Sequence, residues 1–464
     1  MTTAAASTRS RTEVESLAAF AAGSSWRNLS AEAVEALKIR VLDAFGCAIG
    51  ALDAPPVQAV RTLTESLGGN PLSTLIGGGK TAPDRAAFLN GAAVRYLDFN
   101  DAYLAPHETC HPSDNVAPLL AAAEYAKASG RDFLVALAVA YQVQCRLSDV
   151  APVRAKGFDH TVQGVYAAAA GAARAMALPA EQTANAIAIA GTAQNALRVT
   201  RTGTLSNWKG LAYPHAAMNA VYAALLAQSG ITGPLAVFEG NKGFKDAISG
   251  AFEIDWQHED LERVTKTIIK RYNAEIHSQS AIEGLLALRR RSGVPADAID
   301  TISLDTFDVA FHIIGGGEEG GKKDIRTKEE ADHSLPYMLA VAYLDGGVGP
   351  AQYRPERIVR KDVQDLLQRV DVRPDPAFSA RFPREMACRV TLHTKDGRAH
   401  SVEQTDYPGF TTHPMSWDEA AQKFQSLAQD ADPVRVRGLI TAVSRLEEIE
   451  VSDLTPLLGT VRPH

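Results

Sequence analysis

Cysteine is scarce in this chain, four among 464 residues, and where those four stand excludes more than their number does. Cys47, Cys110, Cys145 and Cys388 lie far apart with no C-x-x-C pair, so neighbouring thiols cannot assemble an iron–sulfur cluster or a structural zinc site. Free, scattered cysteines fit a reducing cytoplasm. Basic residues are not in excess: 47 Lys and Arg face 54 Asp and Glu, a formal net charge of −7. That balance excludes the broad cationic face that nucleic-acid binding needs. Long apolar runs are missing too, and no stretch reads as a membrane span. Met1 to Thr12, rich in Ser, Thr and Ala, lacks the apolar core of a signal peptide and reads as a frayed terminus. Gly77-Gly-Gly-Lys-Thr81 imitates the end of a phosphate loop, but Thr74 stands where the signature needs its first glycine. No G-x-G-x-x-G opens a βαβ unit, so nucleotide binding is excluded. No internal repeat supports a solenoid.

What remains is ordinary globular material, 46% hydrophobic and 22% charged, enough for two domains. From Glu13 to Ile269, Ala- and Leu-rich segments with helical spacing dominate. Ser30 reads as the N-cap of a helix whose apolar face runs through Val34, Leu37, Val41, Leu42 and Phe45. Pro179 is expected in the first turn of another helix. The Ala-rich segments Val165 to Met176 and Ala184 to Ala196 are expected to pack closely in the interior. After Lys270 the pattern changes. Thr301 to Val309 alternates with period two, and Cys388 to Val402 reads as a hairpin turning at Asp396-Gly397. Helices return from Ser416. The predicted fold is mainly α: a helical domain of residues 1–269 with 411–464, and a smaller α+β lid domain of residues 270–410. Gly315 to Lys323 reads as a flexible surface loop.

Four stretches carry enough polar chemistry to form a site. Tyr96 to Asn115 packs acids, imidazoles and hydroxyls between two helical segments, where they are costly unless solvated or used. Asp98 and Asp101 would face the same way on a helical turn. The bland alternative is that Ser113 or Asp114 caps the helix starting near Val116. His107 and His111 have a metal-ligand spacing, but Pro106 and Pro112 interrupt any helix there, and no metal is expected. Leu197 to Gly210 sets Arg198, Arg201 and Lys209 among hydroxyl residues, a set suited to a carboxylate-rich ligand. Trp208 beside Lys209 suggests a desolvated lysine. Lys270 to Gln279 carries His277 at the domain boundary, where small-molecule sites concentrate. Ala331 to Met338 opens an apolar helix, as a capped terminus or an anion site.

Taken in order, Asp98-Phe-Asn-Asp101, His111-Pro-Ser-Asp-Asn115, Gly157-Phe-Asp-His-Thr161, Trp208-Lys-Gly210, Ala274-Glu-Ile-His-Ser-Gln279 and Asp332-His-Ser-Leu-Pro-Tyr337 resemble the MmgE/PrpD family. The second and fifth motifs are most similar to its 2-methylcitrate dehydratase branch. The resemblance implies a large helical domain completed by the last helices, a smaller lid, a homodimer, and a cleft site working without a metal or organic cofactor. The sequence departs from that pattern in two places: Ala102 and Tyr103 replace the Thr and Trp usual in that branch, and the loop to His111 is one residue longer.

The expected reaction is removal of water from a citrate-type acid, which needs stabilisation of dense negative charge together with a base and an acid. Arg198, Arg201 and Lys270, joined by His160 and His333, are expected to bind the substrate. Asp98, Asp101, His111, Lys209, His277 and Tyr337 are expected to act on it, with His111 or Asp98 taking the proton. Decarboxylation of cis-aconitate, epimerisation of a small dicarboxylate, and a non-catalytic helical binding protein are the competing readings.

Overall fold

The computed structural model describes residues 11–461; the first ten residues of the expected frayed terminus lie outside that range. The fold is mainly α, with a small mixed sheet in the second half. Helices start where local chemistry directs. Ser30 accepts from the amide of Ala33 to open Ala31–Ile49, and Ser416 and Glu419 form a reciprocal capping box on Trp417–Leu427. Pro179 is the residue before its helix, Ala180–Ala193, rather than within it; its extended backbone suits an N-cap.

Two apolar cores organise the chain. The larger takes buried residues from Val14 to Val264 and again from Phe424 to Val461. The smaller takes Ala102 and residues from Ile268 to Phe410. In the larger core, small residues let helices approach closely. A Cβ on Gly164 would stand 2.3 Å from the Tyr213 ring, so glycine there seats Tyr213 between Asn115 and Gln144, whose side-chain oxygens lie 2.9 and 3.3 Å from its hydroxyl. The helix Gly130–Val150 is 21 residues long and apolar enough by composition to span a bilayer, contrary to the sequence reading, but 83% of its apolar window is buried inside the protein. It is a core helix.

The sheet has four strands, β1 (Ile299–Thr306), β2 (Val370–Pro374), β3 (Cys388–Thr394) and β4 (Ala399–Gln404), in the order β2-β1-β3-β4. β1 and β2 run parallel and the other pairs antiparallel. The period-two residues Ile302, Leu304, Val390 and Leu392 face the smaller core, and Gly397 takes φ +83° at the expected hairpin turn. One face of this sheet packs on the helix Gln279–Ser292, which follows directly from the segment carrying His277 and thereby fixes it.

Candidate active site

A pocket between the two halves of the chain is lined by five cations (Arg95, Arg154, Arg198, Arg201, Lys270), four carboxylates (Asp98, Glu108, Glu275, Glu319) and four imidazoles (His111, His160, His277, His333). Asp98 lies in a tight turn just beyond the helix Pro83–Tyr96, with φ +54°, a conformation that costs on the order of 1 kcal/mol or more for a non-glycine residue. Its surroundings offset that strain. One oxygen is 2.6 Å from both Arg95 Nη1 and Lys270 Nζ, and the other is 3.5 Å from Lys209 Nζ. Burial opposes ionisation, yet Arg95, Lys270 and Lys209 together hold the carboxyl well below its usual range. So stabilised an anion is a poor proton acceptor, which argues against Asp98 as the base.

The chain is not helical from Asp98 to Asp101, and the two carboxylates diverge. Asp101 accepts from the Ser113 amide at 2.9 Å and the Tyr141 hydroxyl at 2.9 Å, outside the pocket lining. It shapes the turn that presents His111. Ser113 and Asp114 belong to a 3₁₀ turn before Val116–Tyr125 and cap nothing. His107 is exposed at the tip of a short hairpin pairing Tyr103 with Cys110, apart from buried His111. Ala102 is buried in the smaller core, and Tyr103 bonds Asp149 at 2.8 Å; neither lines the pocket.

Three imidazoles differ in their partners. His111 Nδ1 donates to the Asp101 carbonyl at 2.7 Å, which leaves Nε2 as the acceptor. Burial, then Arg95 and Lys270, push its pKa well below the usual value. His160 has both ring nitrogens buried without a hydrogen-bond partner, its ring centroid 5.5 Å from that of His111; burial pushes its pKa down to about 3. His277 has a carboxylate. Its Nδ1 lies 2.8 Å from Glu275, whose other oxygen accepts the His277 amide at 2.7 Å, while Nε2 is buried with no partner. Burial raises the Glu275 pKa, but His277 more than reverses this, leaving it at about 2.

Lys209, in the first turn of Trp208–Gln228, is buried although Trp208 is 44% exposed. Its desolvation comes from the second half of the chain. Lys209 Nζ lies 2.6 Å from Asp332 and 2.8 Å from His333 Nδ1, and Lys328 takes the other Asp332 oxygen at 2.6 Å. Asp98, Asp332 and His333 are spaced to surround a metal ion, and the Lys209 ammonium bonds or faces all three. The cation the cluster needs is thus supplied by the chain. Ser334 caps Leu335–Asp345 by accepting from the Tyr337 amide, so this segment both caps a helix and lines the pocket. Tyr337 does not reach it. Its ring is buried in the smaller core and its hydroxyl donates to the Gln352 carbonyl.

On the opposite wall, Arg201 holds Asp159 at 2.6 Å. Arg198 and Arg154 share Glu319, at 2.6 and 3.0 Å. The Gly315 to Lys323 segment is therefore not merely surface: its Glu319 side chain, 6% exposed, turns into the pocket. Arg95, Arg154, Glu108, Glu275 and Glu319 were not singled out from sequence. Glu275 lies inside the motif Ala274 to Gln279 and Arg95 stands three residues before Asp98, both readable signals; Arg154 and Glu319 are joined only by folding.

The suppressed His160 sets a pH dependence. As pH falls below the ordinary histidine value of 6.5, the unfolded chain takes a proton that the folded chain refuses until about pH 3, so stability falls across that window. A His160→Gln variant is expected to show a shallower loss of urea midpoint between pH 6.5 and 4 than the parent. Parallel curves would place the acid sensitivity elsewhere.

Residues 15–257 match the model of the MmgE/PrpD N-terminal domain, and residues 272–448 that of the MmgE/PrpD C-terminal domain. The chain is 29% identical to 2-methylcitrate dehydratase of Escherichia coli (strain K12), with 90% of this chain and 91% of the relative covered. It is 27% identical to cis-aconitate decarboxylase of Mus musculus, over 96% and 93% respectively. It is also 27% identical to the mitochondrial 2-methylcitrate dehydratase of Yarrowia lipolytica, over 82% and 76%. With both domain models matched in order along one chain, the protein belongs to the MmgE/PrpD family.

Proposed function

We propose that the protein is a hydro-lyase that removes water from a citrate-type tricarboxylate, of which 2-methylcitrate is the leading candidate, to give an aconitate-type alkene. The observation that carries this reading is the His277–Glu275 pair, with an unpartnered ring nitrogen, in a pocket walled by cations. His277 Nε2 takes the proton beside a substrate carboxylate, and Glu275 stabilises the imidazolium that forms. Arg198, Arg201 and Lys270, with Arg95 and Arg154, hold carboxylates and the negative charge developing next to them. The leaving hydroxide takes a proton from His333 Nε2 while His333 Nδ1 receives one from Lys209, the contact already 2.8 Å long. Asp98 fixes Arg95 and Lys270, and neutral His111 and His160 orient the substrate hydroxyl. Asp101 and Tyr337 act through the fold.

This chemistry draws its charge stabilisation from side chains and calls for no cofactor. We take the domain limits to be 269/270 and 410/411; the two apolar cores, with pocket-lining residues drawn from both halves of the chain, support a helical body and a lid on either side of the pocket. Exposed Leu197, Val199 and Trp208 along one groove support a homodimer, and four buried free cysteines support a cytoplasmic setting. A small polycarboxylate is the partner of the pocket, with neither nucleic acid nor membrane involved.

Decarboxylation of cis-aconitate is the second reading, favoured by the mouse relative's coverage of nearly the whole chain. Ultraviolet absorbance of a newly conjugated alkene acid, followed with chelator-treated protein and 2-methylcitrate or citrate, separates the two. A rising signal is expected. Carbon dioxide release from cis-aconitate without that signal would replace dehydration by decarboxylation.

A further inference from the structure

The five cations of the pocket are all already paired, sharing three acids between them, but those acids are held differently. Asp98 is gripped by Arg95 and Lys270 in a turn anchored on a helix end, and Asp159 is fully buried against Arg201. Glu319 alone rides on a glycine-rich segment. Gly316 and Gly320 flank it at φ +108° and +94°, with open space where a Cβ would stand, and Gly321 is equally open. One backbone bond, from the Glu319 amide to the His312 carbonyl at 3.0 Å, ties the residue itself down. Its carboxylate fills the fork between Arg154 and Arg198, two guanidinium groups from the helical half of the chain.

A fork of two arginines is a natural seat for a carboxylate. The geometry points to Glu319 as an internal, displaceable stand-in for one substrate carboxylate, leaving the Arg154–Arg198 fork when an acid ligand enters. The inference rests on the reading that the pocket takes polycarboxylates. It adds a specificity device: a ligand must carry a carboxylate at that end to displace Glu319, so an acid lacking one gains nothing from the fork. The apparent affinity is the intrinsic affinity reduced by the fraction of molecules whose fork is free.

Tricarballylate, a citrate skeleton without the hydroxyl, tests this by calorimetry because it keeps the three carboxylates and has no hydroxyl to lose. Glu319→Gln keeps the shape and removes the competing charge, and its affinity for tricarballylate is expected to tighten by about fivefold or more. Glu318→Gln removes the same charge from the exposed neighbour and is expected to leave the affinity unchanged. Equal tightening in both variants would reduce the effect to general electrostatics and overturn the inference. Unchanged or weaker binding by E319Q alone would overturn it too, making Glu319 a fixed support for the arginines, while the proposed reaction would still stand. Failure of the parent protein to bind tricarballylate would instead remove the polycarboxylate reading beneath it. Should E319Q not fold, amide exchange across Gly316 to Gly321 in the parent decides: faster exchange on adding tricarballylate is expected, and unchanged or slower exchange overturns the inference.

Discussion

His277→Gln is expected to lower kcat by about 10²- to 10⁴-fold, the range for loss of a general base, while the thermal midpoint moves little. Both His277 and His333 have a carboxylate 2.8 Å from Nδ1, but the His333 nitrogen also faces the Lys209 ammonium, whereas His277 has, among the described residues, no cation on its ring and keeps a buried Nε2 without a partner. Protonating His111 would place a new positive charge near Arg95 and Lys270, and protonating His160 one near Arg201. At His277 the same proton arrives beside Glu275, which is already ionised. Glutamine retains much of the bulk between Phe307 and Phe382 but cannot accept a proton. A Glu275→Gln variant should retain more activity than H277Q, with its pH–rate profile displaced because the imidazolium loses its counter-charge. Steady-state kinetics with circular dichroism checks both. Wild-type turnover in folded H277Q would transfer the role of base to His111.

Lys423→Met is expected to destabilise the protein by about 3–5 kcal/mol, the cost of stranding a buried charge. Lys423 comes from the helix Trp417–Leu427, and its Nζ lies 2.7 Å from the fully buried Asp43. It also donates to the carbonyls of Phe99 and Lys270 at 2.7 and 2.9 Å and sits 3.7 Å over the Phe99 ring. Those two carbonyls belong to the separate segments carrying Asp98 and Lys270, so one ammonium fastens both sides of the site. Methionine fills the space but leaves Asp43 without its nearest cation and two carbonyls without a donor. The Lys423→Met/Asp43→Asn pair should recover part of the loss, because no charge is then stranded. Urea denaturation measures all three proteins; a single-variant loss below about 1 kcal/mol would put this pair in the class of exposed ion pairs.

Local patterns were legible in the sequence where the physics is local. Ser30, Ser416 and the Asp396-Gly397 turn declare themselves within four residues, because capping and turn geometry depend on near neighbours. His111 stands out because polar groups crowded between apolar helices need a reason to be there, Lys209 because it joins two arginines among hydroxyl residues, and His277 and Lys270 because they fall at the expected domain boundary. Direction was not legible. Helical spacing pairs Asp101 with Asp98, but the positive φ of Asp98 turns the chain and sends the second carboxylate to Ser113 and Tyr141. Tyr337 is expected in the site as the end of the motif that opens at Asp332, yet the helix begins at Leu335, between His333 and Tyr337, and carries the tyrosine ring into the core. Partners across the cleft were the least legible. Arg154 and Glu319 stand 165 positions apart, and a glycine-rich segment read by composition gives no sign that one of its acids turns inward.

The return of residues 424–461 to the core begun by residues 14–264 has a consequence for biosynthesis. A chain leaving the ribosome shows its first helices long before the segment that covers them is made. At about 5–20 residues per second, the roughly 160 residues between Val264 and Phe424 take on the order of 10–30 s to emerge. Throughout that interval Leu37, Val41 and the Ala-rich helices have an uncovered flank, so the nascent protein is a natural client for chaperones that shield apolar surface. A stop codon near position 415 would leave both cores nearly complete in composition yet the first one open, and the product would fail by aggregation before any question of chemistry arose.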